Sequence, residues 1–110
     1  MIAQVIYLKE YDWLIKVYYA VDQYYQDEIL GELYSIDCEP EALNRAADML
    51  ENYEINTGFT YTDTNKHLTF IIIGLTDSVE EFFNTFIHEL GHASVNIAEY
   101  YDLRLNSEKM

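Results

Sequence analysis

One stretch of this chain has the residue types and the spacing for metal chemistry: His88-Glu89-Leu90-Gly91-His92. The pattern is H-E-x-x-H. On a helix, two histidines four residues apart project from one face, close enough for both imidazoles to reach one Zn²⁺ at about 2.0–2.1 Å. The glutamate between them lies beside the metal without ligating it. There Glu89 can act as general base, taking a proton from zinc-bound water and passing it to a leaving amine. The metal would polarise the scissile carbonyl, so a peptide bond could be hydrolysed without a covalent nucleophile. With three His in 110 residues, chance would produce this pattern on the order of one time in a hundred.

A zinc site needs a third protein ligand and an open position for water. The extension H-E-x-x-H-x-x-G-x-x-H fails here, because Val95 stands at the Gly position and Ala98 at the third His position. Glu99 is on the correct helical face but seven residues beyond His92, about 10 Å of rise along an unbroken helix. It reaches the metal only if the helix breaks first, and Asp102 has the same difficulty. Glu108 follows Leu103-Arg104-Leu105 and a turn. A second helix folding back there would bring its carboxylate to the metal. His67 is the weaker candidate, since a lone strand histidine is more often a polar edge residue.

The elements that must position these groups are legible in outline. Ser78 and Glu81 form a capping box, Asp77 and Glu80 offer a second register, and a helix should follow from Val79 to about Tyr101. On its wheel, Val79, Phe82, Phe83, Phe86, Ile87, Leu90, Ala93, Ile97 and Tyr101 share one stripe. His88 and His92 project from the opposite side with Glu81, Thr85 and Glu99, and Glu89 lies on the flank. The histidines therefore point away from the expected core. Residues 13–21 read as a central strand, and residues 2–8 as either a strand or a helical turn. From Asp22 to Leu50 the pattern is a helical hairpin broken at Asp37-Cys38-Glu39-Pro40. Tyr25, Ile29 and Leu33 form one face, and Leu43, Ala46, Ala47 and Leu50 the other. Residues 57–62 and 67–73 are the arms of a β-hairpin with its turn at Asp63–Lys66. Asn106-Ser107-Glu108 resembles a helix start, yet the chain stops at Met110. That cap reads equally as a clipped domain or a frayed tail. The expected fold class is α+β: one domain over 1–110, with a small mixed or antiparallel sheet, a helical hairpin and a long C-terminal helix bearing the motif.

Composition narrows the function classes. Twenty acidic residues against six basic ones give a formal charge of −14. Such a chain repels phosphate backbones and anionic lipid, so neither nucleic acid nor a membrane is an expected partner. No apolar run is long enough to span a bilayer and no signal peptide is visible, which makes the expected location cytoplasmic. The single cysteine, Cys38, cannot form an internal disulfide and reads as an inert thiol. The paired tyrosines (Tyr18-Tyr19, Tyr24-Tyr25, Tyr100-Tyr101) should each place one ring inward and one outward.

At His88–His92 the sequence resembles the active-site helix of zincin metallopeptidases. The segments Asn56–Thr62, Ile71–Thr76 and Glu81–Glu89 resemble a group of short H-E-x-x-H proteins of gut Bacteroidetes genomes and their mobile elements. That likeness runs from about Trp13 to the end. It implies a minimal zincin fold with the metal helix packed under the sheet, Zn²⁺ as cofactor, and a peptide or protein segment as substrate. It also implies Glu108 as third ligand, by analogy with the acidic residue that opens a second helix in that group. The Ala-Tyr-Leu stretch that follows there is absent here. In zincins the edge strand of the sheet pairs with an extended substrate, which casts residues 67–73 as the substrate rail. A different reading is an acidic binding or inhibitor protein on a degenerate zincin fold, occupying a basic partner without catalysis. Metal sensing or storage is a third, weakened by having only two firm ligands.

Overall fold

Residues Trp13–Val21 form strand β2, and their β-branched and aromatic types suit an extended segment buried on both faces. The computed structural model describes residues 2–21, 25–36, 38–51 and 56–101. In it, β2 is flanked by antiparallel β1 (Ile2–Leu8) and parallel β4 (Leu68–Gly74). Strand β3 (Gly58–Asp63) pairs antiparallel with β4, giving the order β1-β2-β4-β3. Segment 2–8 is thus a strand. Its pairing runs unbroken from Ile2 opposite Tyr19 to Leu8 opposite Trp13. Near its end β2 bulges, with Ala20 at φ 54° and the register shifting between Tyr18 and Val21. The hairpin turn forms where expected, because Asp63 Oδ1 accepts from the backbone N–H groups of Asn65 and Lys66 at 3.0 and 3.1 Å.

A parallel pair needs a crossover. Here it runs through α1 (Gln26–Ser35) and α2 (Pro40–Glu51), the expected helical hairpin with Pro40 in its first turn. Ile29 and Leu33 of α1 are buried as expected. On α2 the buried face is Ala42, Ala46, Met49 and Leu50. It is rotated from the expected one, so Leu43 and Ala47 are only half-buried. These helices cover one sheet face, against Tyr18, Phe59, Leu68, Phe70 and Ile72.

The other face carries Trp13, Ile15, Val17, Ile71 and Ile73, and against it packs α3 (Val79–Tyr100). Ser78 caps α3, its Oγ accepting from Glu81 N at 3.1 Å. The fold is therefore mixed α and β, with three helices and a four-stranded mixed sheet in three layers. Among the described residues no helix is long and apolar enough to cross a membrane.

The expected core stripe of α3 needs correction. Phe83 and Ile87 are 53% and 63% exposed, and Val79 is exposed too. The physical reason is where α3 lies. It runs across β3 and β4 and leaves the β1 side of that face open. The buried residues are therefore Thr85, Glu89, Ala93, Ile97 and Ala98; Ala93 and Ile97 belong to the expected stripe, and Phe82 and Phe86 lean toward Tyr19 of β2.

Helix α1 is tied to the sheet by a polar link. The Tyr18 hydroxyl donates to Glu32 Oε2, and Glu32 lies 3.8 Å from Lys16 Nζ. Burial, then the hydrogen bond to Glu32 and its negative charge, push the Tyr18 phenol well above its ordinary value of 10.0. A phenol with a raised folded pKa stabilises fully below the unfolded pKa, and that contribution is lost as pH rises through the folded one. Stability measured by denaturant titration should therefore fall with pH above about 10, and fall less steeply in Tyr18→Phe. Identical slopes would contradict this link.

Candidate metal centre

The motif lies in the middle of α3, nearly three turns beyond its cap. His88 and His92 are both exposed on the outer flank. Their Nε2 atoms are 3.1 Å apart, with ring centroids at 4.6 Å and planes at 88°. Two nitrogens bound to one tetrahedral zinc at about 2.0–2.1 Å would stand about 3.3 Å apart. The spacing is close to that of two ligands on one zinc, and in the structure the two rings share a hydrogen bond across it.

Glu89 is not on an exposed flank. It is 6% exposed and wedged between α3 and the edge strand β3. Thr60 Oγ1 donates to Glu89 Oε1 at 2.6 Å and also lies 3.2 Å from its backbone carbonyl oxygen. Gly58 makes room for the side chain: a Cβ there would stand 2.6 Å from Glu89 Cγ. Thr62, the next residue on this face of β3, accepts from Asn96 Nδ2 at 3.0 Å. Thr62 also meets buried Thr69 at 3.1 Å, and Thr69 accepts from Trp13 Nε1 at 2.9 Å. A run of hydroxyls therefore links the central strand to the motif helix. Thr60 and Gly58 are the site residues that the sequence analysis did not identify. The signal was present as Gly58-x-Thr60-x-Thr62, small and hydroxyl residues at period two on one strand face.

His88, Glu89 and His92 line a pocket of about 300 Å³ together with Gly58, Thr60, Arg45 and Asn96. A wider groove of about 860 Å³ shares Arg45, Thr60 and Asn96 with it, and continues past Thr62 and Glu99 between α2 and α3. This groove lies beside the edge of β3 that pairs with no other described strand. The expected rail at residues 67–73 is therefore corrected. That segment is β4, hydrogen-bonded on both sides in the sheet interior, and the free edge by the motif belongs to β3.

The other ligand candidates separate. His67 lies at the C-terminal end of α3, about two turns beyond His92. Its Nδ1 donates to the carbonyl of Asp12 at 3.0 Å, which leaves Nε2 to accept from the Tyr100 hydroxyl at 3.2 Å. The ring stacks on Trp13 at 4.8 Å. His67 thus fastens the end of α3 to the sheet and is not brought to His88 and His92. Glu99 lines the wide groove but not the motif pocket. Asp102 and Glu108 lie outside the described residues. Among the described residues, no group of three His, Cys, Asp or Glu side chains is placed to hold a metal. Cys38 is buried, its thiol raised chiefly by desolvation, which suits an unreactive group. Of the tyrosine pairs, Tyr18 is buried and Tyr19 half-buried, while Tyr100 is exposed and Tyr101 half-buried.

No family model, curated protein or solved structure matches this chain.

Proposed function

We propose that this chain is a minimal zinc-dependent metallopeptidase-like protein acting on extended peptide segments. One observation carries the reading. Two imidazole Nε2 atoms stand 3.1 Å apart beside a carboxylate that an edge strand holds in the same pocket. His88 and His92 would hold the metal, with Glu108 as the third ligand that the resemblance to zincins implies. Bound zinc would lower the pKa of water and polarise a carbonyl. Glu89 would take the proton from the attacking water at its carboxylate and return it to the leaving amine. Thr60 keeps one oxygen of that carboxylate satisfied and so fixes which way the group faces. The substrate would lie along the free edge of β3, its backbone adding a strand to the sheet.

The test is cleavage of an unstructured peptide mixture, read by mass spectrometry. Cleavage should appear with the zinc-loaded protein, stop with chelator and return on adding zinc. Cleavage indifferent to chelator would contradict the proposal.

A further inference from the structure

The motif pocket is lined by a cation, Arg45, that forms no ion pair among the described residues. Arg45, on α2, lines both the motif pocket and the wide groove, at the point where the two meet. Its guanidinium rests on the Phe59 ring, 5.3 Å from the centroid. No carboxylate among the described residues lies within ion-pairing distance of it. By contrast, Lys16 pairs with Glu32 and Lys66 with Asp63.

We propose that Arg45 is the substrate-binding residue of this site and that it takes a carboxylate of the peptide. The inference rests on the peptidase reading for its setting, though not for its chemistry. A planar guanidinium with several N–H donors matches a carboxylate in two parallel hydrogen bonds. The groove is polarised to the same end. The wide groove is also lined by Glu39, Glu41 and Glu99, which disfavour an acidic group near them. An acidic substrate group is therefore favoured beside Arg45 over the rest of the groove. This gives the peptide a direction along β3. It also sets a selectivity opposite to that of a −14 surface, which on its own would favour basic ligands. The carboxylate could be the peptide's C-terminus or an Asp or Glu side chain.

The experiment uses the full chain carrying Glu89→Gln, so that probes are bound and not consumed. Three short alanine peptides are compared by isothermal titration calorimetry, with and without added zinc. One has a free C-terminus, one is amidated, and one is amidated with a single internal Asp. At least one carboxylate peptide should bind about tenfold or more tightly than the neutral amide, and which one does so identifies the source. Arg45→Gln should erase the difference, Arg45→Lys should restore part of it, and unchanged melting temperatures should show that both variants fold. Equal binding of acid and amide, or a preference that survives Arg45→Gln, would overturn the inference. If zinc fails to bind but the Arg45-dependent preference persists, the peptidase reading falls and this inference stands. If zinc binds and no preference exists, the inference falls alone.

Discussion

Glu89→Gln is expected to reduce peptide hydrolysis by about a hundred- to ten-thousand-fold, the usual range for a positioned general base. Zinc content and melting temperature should stay near those of the parent. The separation follows from where the carboxylate lies. Glu89 is buried against β3, and its Oε1 accepts from Thr60 Oγ1 at 2.6 Å. A glutamine has the same length, and its carbonyl oxygen can accept the same bond. What it lacks is a basic site for the proton. Glu89→Ala would be a poorer experiment, since it leaves a cavity and strands the Thr60 hydroxyl. Hydrolysis undiminished in Glu89→Gln would remove Glu89 from the mechanism, whatever the metal content.

Gly58→Ala is expected to destabilise the fold by about 1–3 kcal/mol and to depress hydrolysis as well. For a chain of this size each kcal/mol corresponds to roughly 4–8 °C in melting temperature. The added Cβ would stand 2.6 Å from Glu89 Cγ and 3.0 Å from Cδ and Oε2. Cγ is not the free end of a flexible chain, because the carboxylate beyond it is tied to Thr60. Either Glu89 swings out of the pocket or β3 lifts from α3. Both outcomes spoil the site. A double-mutant cycle isolates the contact: in a Glu89→Ala background the overlap has gone, so Gly58→Ala should cost little. An equal cost in both backgrounds would place the strain elsewhere.

How far these residues were legible beforehand depends on the kind of signal. The motif helix announced itself through Ser78, Glu81 and a 3.6-residue pattern, and it runs Val79–Tyr100. The strand at Trp13–Val21 and the break at Pro40 were equally plain, because β-branching and proline act locally. What escaped was set by neighbours distant in sequence. Phe83 and Ile87 fit an inward stripe, yet they are exposed because α3 lies over the β3 side of the sheet. Glu89 looked like a flank residue until Gly58 and Thr60, about thirty positions earlier, came to lie over it. The hairpin at 58–74 was readable as two strands, but not which of them would border the sheet. Strand order comes from the parallel pairing of β2 with β4, and no local pattern encodes that. The histidines were the easiest residues to name, since a spacing of four on a helix is a local fact.

The claim everything else depends on is that His88 and His92 hold a metal. The most direct measurement is elemental analysis of the purified full chain after zinc loading and desalting, with His92→Ala beside it. Near-stoichiometric zinc is expected in the parent, and loss of that zinc in the variant without loss of its fold by circular dichroism. Absence of zinc from the parent, or equal zinc in both proteins, would contradict it and would favour an acidic binding protein in place of a peptidase.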